Sequence, residues 1–473
     1  NVLVDNGIIN TENMDTNDSV YVNWDENESI SLKELLTYAL TKNWIDMDKL
    51  TAEKYSSLQE AYDSLLEYIS NYISNDTGFG KKVYRYMISS GSISGWEVCM
   101  MLYEQGVLEP SGSAYEGLSS GRMSAYDFMI NAITEKTITP AQLALEPCSG
   151  SAVVADPDTG ELLALVSYPG YDNNRLSGTV DKDYYEQLRN DKAKPLINKA
   201  TSLRTAPGSI FKPCSAITGL EQGVISTGES IVCTGQYTAV TPSPKCWIYP
   251  RSHGAENVST AIRDSCNVFF YTVGHRLGME SGGTYNSTKG TDLLKNYAEQ
   301  LGLATKSGVE IYEMDPHPSD RDAVASAIGQ GTHAYSAINL CRYVSTLATS
   351  GVCHDFTLVS KITDYNGNVI RDNEPVVSNT MNVSSSTWNA VHQGMRLVIE
   401  NTASFKGLPY QAAGKSGTAQ ENTNKADHIT FISYAPYDNP EGAVSVLIPN
   451  GYASSNAAKL TSDIYKIYWG LDK

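Results

Sequence analysis

The stretch Thr205–Leu220, TAPGSIFKPCSAITGL, decides how the rest of the chain is read. It holds Ser209 and, three residues on, Lys212, with a Pro-Gly pair before the serine and Pro213 directly after the lysine. A proline inside a helix removes a donor and clashes with the preceding turn, but the first turn tolerates it. The apolar, helix-compatible run from Ile210 to Leu220 therefore predicts a helix that begins near Ser209. Pro213 then falls where a backbone amide would lack a partner anyway. Ser209 lies at the positive end of that helix dipole, and residues three apart share a face. The Lys212 amine can thus reach the Ser209 hydroxyl, which becomes a useful nucleophile only when a neighbouring base takes its proton. A helix start with a surface lysine would look the same in isolation, so the remaining sequence has to decide.

To the C-terminal side, AIRDSCNVFFYTVG (261–274) carries Ser265 and Asn267, and AAGKSGTAQ (412–420) carries Lys415, Ser416, Gly417 and Thr418. The order is SxxK, SxN, K-S-G, the set shared by penicillin-binding proteins and serine β-lactamases. Each piece is weak alone. Three in order, with the last on a strand-like run, make a specific signal.

The elements around these motifs have a clear texture. SAVVADPDTGELLALVSYP (151–169) reads as strand, Asp-Thr-Gly turn, strand. YQAAGKSGTAQ, HITFISYAPY and GAVSVLIPNG read as three terminal strands, followed by a closing helix from Asn456 to Trp469. Strands at both ends of the region with helices between them predict an α+β domain: an antiparallel sheet covered by helical layers, with Lys415 on an edge-side strand. The domain runs over 147–473. Residues 1–146 read as an accessory region without identifiable chemistry. Its first 30 residues hold seven acidic and no basic residues and read as a solvated, loop-like lead-in. Ser31 and Glu34 then form a capping box. Amphipathic stretches follow over 55–69, 96–102 and 125–134 and after Pro140.

The 147–473 region resembles the transpeptidase domain of class B penicillin-binding proteins. ADPDTGELLALVSYPGYD, APGSIFKP, SCNVFFYTVG, AIGQGTHAYSAINL and AGKSGTAQ carry the resemblance. FFYTVGHRLG and YAEQLGLATKSGVEI are closer to the elongation-type subgroup than to the division type. Two departures stand out. Ser416 occupies a place where threonine is common, which keeps the hydroxyl. His333-Ala334 replaces a usual Thr-Pro pair, which touches a structural loop only.

The resemblance implies a D,D-transpeptidase that cross-links peptidoglycan stem peptides through an acyl-enzyme on Ser209 and is acylated by β-lactams. Lys212 would be the base. Its ordinary pKa is about 10.4, so burial and the like charge of Lys415 have to lower it. Ser265 would pass a proton to the leaving D-alanine amine, and Asn267 would hold the substrate amide or Lys212. Lys415, Ser416, Gly417 and Thr418 would form the carboxylate site, and the amides of Ser209 and Thr418 the oxyanion hole. No metal or organic cofactor is expected.

Alternatives are a D,D-carboxypeptidase, which differs only in the acyl acceptor, and a β-lactam-binding sensor. A class A β-lactamase needs a deacylating glutamate in an ExxLN pattern, and no glutamate after Ser265 has it.

Composition sets outer limits. A net charge of −18 argues against nucleic acid and anionic membrane surfaces as partners. The resemblance, in turn, implies peptidoglycan stem peptides, β-lactams and the cell-wall elongation or division machinery as partners. The chain opens on Asn1 rather than Met and reads as a fragment; the resemblance implies an upstream anchor that holds the domain at the extracytoplasmic face of a bacterial membrane. Of eight cysteines, none forms a CxxC. Cys233 and Cys246 bracket CTGQYTAVTPSPKC and could pair in an exported protein, a closure worth about 3 kcal/mol. Two reduced thiols are the other reading. His253 lacks any metal-site spacing and reads as structural.

Overall fold

The computed structural model describes the chain apart from residues 1–2, 4–5, 11, 13, 26, 28, 50–57, 136, 139–142, 144, 422–424 and 472–473. It forms two compact units, 1–138 and 139–473. The units part a little ahead of residue 147. Ile138 is buried, and its amide bonds back to Ala132, so it belongs to the end of the helix Ala125–Thr134.

The first unit is helical among its described residues. The capping box forms as the sequence predicts: Glu34 N–H donates to Ser31 Oγ at 3.2 Å, and Ser31 N–H to Glu34 Oε2 at 2.7 Å. The loop-like reading of the first 30 residues is corrected in part. Ser19–Asp25 is a helix. Asp18 accepts from the Val20 amide and from the Tyr38 hydroxyl, each at 2.9 Å, so an acidic residue caps the helix and anchors it. Leu35, Leu36, Trp44 and Leu65 bury the apolar stripe. The helix expected after Pro140 falls largely outside the described residues.

The second unit is built on a five-stranded antiparallel sheet. In space the strands run Leu162–Tyr168, Gly150–Ala155, Gly442–Ile448, His428–Ala435, Ala413–Ala419. The period-2 alternation of each central strand explains the layering. Ala443, Leu447, Ile432 and Tyr434 face a large core that includes the helices Lys212–Glu221, Asn267–Leu277 and Ala337–Ala348. Val444, Val446, Ile429 and Phe431 face the other way, onto Ala457, Ala458 and Tyr465 of the closing helix Ser454–Tyr468. These inner strands are buried on both faces, which is why their sequences read as near-continuous apolar runs. The two ends of the region thus supply one sheet, and the strand bearing Lys415 lies at its edge.

The opening stretch takes a slightly different form from the prediction. Gly208–Phe211 is a 3-10 turn and the α-helix starts at Lys212, with Pro213 in its first turn. The distinction suits the site. Lys212 follows the turn and closes it, its amide donating to Ser209 O, which keeps the two residues on adjoining turns.

Candidate active site

Ser209 is half-buried and lines a cleft of about 710 Å³ with Ser265, Asn267, Ser416 and Thr418. The motifs separated by some 200 positions in the sequence therefore meet on one surface. Gly208 makes the meeting possible. It has φ of 55°, and a side chain there would run into the Thr418 carbonyl. Gly417 serves the same approach from the other side, since a Cβ there would crowd Pro207 O and Thr430 Oγ1. The nucleophile turn lies backbone against backbone on the edge strand, the arrangement that an oxyanion hole from the Ser209 and Thr418 amides requires.

Lys212 is fully buried. Its Nζ lies 2.7 Å from Ser265 O, 3.0 Å from Ser265 Oγ and 2.7 Å from Asn267 Oδ1. The SxN turn is shaped for this role. Ser265 takes the left-handed conformation, φ 53°, uncommon for a non-glycine residue and often a mark of a functional constraint. Cys266 then caps the helix that begins at Asn267. Burial, and next the charge of Lys415, hold the Lys212 amine well below its ordinary range. Lys415 is also buried, which lowers it to about 7. Ser416 and Thr418 stand two apart on the edge strand and share its cleft-facing side. His333, at the departure in the loop, is buried with its ring 4.2 Å from that of Phe211, and Nδ1 accepts from the Ser319 amide at 2.9 Å. It supports the nucleophile turn from behind, and burial pulls its pKa down to about 3.

A family model for the penicillin binding protein transpeptidase domain matches residues 150–466. The chain belongs to that family. Among relatives of this penicillin-binding protein is the peptidoglycan D,D-transpeptidase MrdA of Haemophilus influenzae, 29% identical over 362 residues, covering 68% of this chain and 53% of the relative. Another is the peptidoglycan D,D-transpeptidase PbpA of Mycolicibacterium smegmatis, 29% identical over 332 residues, covering 64% of this chain and 62% of the relative. The solved structure of Pseudomonas aeruginosa PBP2 in complex with WCK 5153 is similar with a TM-score of 0.59 at 26% identity, covering 67% of this chain and 70% of that one. The chain spans about half the length of the MrdA relatives it matches.

One cluster in this penicillin-binding protein escaped the sequence reading. Cys233, Cys246, His253 and Cys266 bring four ligand atoms within 4.8 Å of one another. The pairing of Ile231–Cys233 with Gly254–Glu256 sets Cys233 opposite Gly254 and draws His253 alongside. His253 Nδ1 lies 3.6 Å from Cys233 Sγ and 3.7 Å from Cys246 Sγ. Of the two readings left open for Cys233 and Cys246, the structure has the free thiols; all eight cysteines are free. The two sulfurs converge with two further donors instead of with each other alone. Three thiols and an imidazole are a donor set suited to tetrahedral zinc. The Asn267 amide donates to Cys246 Sγ at 3.3 Å, so the cluster is fastened directly to the SxN turn. The signal was a C-x12-C-x6-H-x12-C series, too widely spaced to match a compact zinc motif.

Proposed function

We propose that the chain is a serine D,D-transpeptidase that cross-links peptidoglycan stem peptides and is inhibited by covalent β-lactam acylation. The observation that carries this reading is that Ser209, Ser265, Asn267, Ser416 and Thr418 line one cleft, with buried Lys212 bonded to Ser265 and Asn267 and buried Lys415 on the same strand as Ser416 and Thr418. Ser209 Oγ attacks the carbonyl between the last two D-alanines while its proton passes to neutral Lys212. The amides of Ser209 and Thr418 hold the oxyanion; losing one such donor in a comparable site costs about 3 kcal/mol. Lys212 touches Ser265 Oγ, so the proton can move through that hydroxyl to the departing D-alanine amine. An amine of a neighbouring stem then attacks the Ser209 ester, forms the new amide and frees the serine. Lys415, Ser416 and Thr418 bind the terminal carboxylate.

A D,D-carboxypeptidase would use the same residues with water as acceptor. The relatives' names, peptidoglycan D,D-transpeptidase, accord with action on peptidoglycan; an extracytoplasmic site of action beside other cell-wall proteins is part of the proposal. No helix among the described residues is long and apolar enough to cross a membrane.

The test is intact mass before and after penicillin. One penicilloyl group per chain, persisting after free drug is removed, is expected, because no glutamate has the spacing of a class A deacylation base. Rapid hydrolysis with no adduct at steady state would point to a β-lactamase. A stem pentapeptide offered with a D-amino acid should give the exchanged product; release of D-alanine alone would favour the carboxypeptidase.

In the same reading, Cys233, Cys246, His253 and Cys266 would hold one zinc ion in a closed, four-ligand site. Such an ion would hold the SxN turn in place through Cys266 and the Cys246 sulfur bonded to the Asn267 amide. Binding at 1,000 times Kd adds about 4 kcal/mol of stability, and each kcal/mol moves Tm of a domain this large by roughly 2 °C. Chelation should lower Tm by roughly 8 °C on that basis, with about one zinc per chain found by elemental analysis beforehand. Metal-free protein whose Tm is indifferent to chelator and to added zinc would dismiss the site.

A further inference from the structure

The residues beside the cleft-lining Gln420 and Asp427 are Glu421 and His428, and they face each other. Glu421 Oε1 accepts from the Ala206 amide at 2.9 Å. Its other oxygen, Oε2, lies 3.4 Å from His428 Nε2. His428 Nδ1 in turn lies 3.3 Å from the Asn450 amide, which donates to it. That bond makes Nδ1 the accepting nitrogen and leaves Nε2 as the nitrogen facing Glu421. One carboxylate thus joins three segments: the approach to Ser209, the end of the Ala413–Ala419 strand and the start of the His428–Ala435 strand. The His428 hydrogen bond and the Ala206 amide hold its carboxyl below the usual range, as suits an ionised acceptor.

Ala206 precedes the nucleophile by three residues, and Glu421 follows Thr418 by three. The two amides of the oxyanion hole therefore sit on the two segments this carboxylate ties together. Glu421 stands next to the cleft wall rather than in it, and its contacts are to the backbone of Ala206 and to His428. We infer that Glu421 is a positioning residue that sets the separation of the Ser209 and Thr418 amides through its bond to the Ala206 backbone. The inference rests on the serine acyl-transfer reading above. An oxyanion hole works only when its donors are already aimed at the developing charge. Loosening the strap should therefore slow acylation more than it weakens initial binding.

The test uses the full chain and stopped-flow acylation by a fluorescent penicillin, resolved into a binding constant and a first-order acylation rate. Glu421→Ala should lower the acylation rate about ten- to a hundredfold, the scale on which small displacements act, with binding changed less than about twofold. Glu421→Gln keeps an oxygen for the Ala206 amide and should restore the rate to within about threefold of the parent. Hydrogen exchange of residues 205–211 should quicken in the alanine variant and not in the glutamine one. Failure of the parent to form an adduct would sink the acyl-transfer reading itself. With a parent that acylates normally, three results would each overturn the inference alone: an alanine variant as fast as the parent, equal losses for Ala and Gln, or a loss carried wholly by binding.

Discussion

Ser209→Ala is expected to abolish penicilloyl labelling while leaving the protein folded. No other side chain lining the cleft pairs a hydroxyl with a lysine three residues on. Ser265 and Ser416 are nearby, but Ser265 Oγ already lies 3.0 Å from Lys212 Nζ and the SxN turn directs it there. Removal of the nucleophile in a comparable serine enzyme costs about a millionfold in turnover, so the adduct should vanish from the mass spectrum over hours. The fold should tolerate the change. Ser209 is half-buried at the cleft wall, and the turn around it is held by main-chain contacts: Gly208 N–H to Gly329 O at 3.0 Å and the close approach to Thr418. Substitutions of this kind usually fall within about 0.5 kcal/mol. Labelling of Ser209→Ala at parental stoichiometry would remove the serine from its role.

The second large effect concerns the two lysines. Lys212→Ala should slow acylation by orders of magnitude, because general-base assistance alone is worth about 100- to 10,000-fold. Its pH signature is more diagnostic than its size. Burial and the Lys415 charge lower Lys212, so the neutral base forms at a pH where a free lysine would still be charged. The rate should rise with pH as Lys212 loses its proton. In the proposed role of holding a carboxylate, Lys415 has to be charged, and burial brings it to about 7, so it loses that charge as pH climbs. The second-order acylation constant of the free enzyme should therefore trace a bell between pH 5 and 10, its alkaline limb falling from about neutrality. The two apparent values belong to the coupled pair rather than to either residue alone. Lys415→Arg keeps its charge across this range, so the alkaline limb should flatten. A profile that climbs steadily to pH 10 in the parent would contradict the assignment.

The parts of the protein that the sequence exposed share a physical property: they are written in local spacing. Pro213 after Lys212 is a first-turn signal, and the structure places it there. The strand alternation of Ala443–Leu447 and Ile429–Tyr434 is local, and so is the capping box at Ser31 and Glu34. What stayed hidden depends on chain segments meeting. Glu421 acts on Ala206, 215 residues away. The four thiol and imidazole donors come from a small hairpin, a loop and a helix cap, and only the pairing of Cys233 with Gly254 draws them together. Two cysteines bracketing a loop suggested a disulfide because the other two donors lay outside it. The helix Ser19–Asp25 hid for a different reason: an acidic segment resembles a solvated tail until a residue such as Asp18 proves to be its cap.

The strand that carries Lys415 is the last of its sheet, and among the described residues no strand pairs with its outer side. Such rims are normally guarded, because a bare row of amides and carbonyls invites stray pairing. Here the rim borders the cleft. On the proposed function, a peptide or drug laid along it would be gripped by groups that every amino acid possesses, as in other cases of strand addition. Codon changes alter side chains and leave that ladder in place. Under drug selection, then, this strand offers few escapes by direct loss of contact. Resistance arising here would have to bend the strand or shift its neighbours, and on the proposed function either change would disturb the substrate along with the inhibitor.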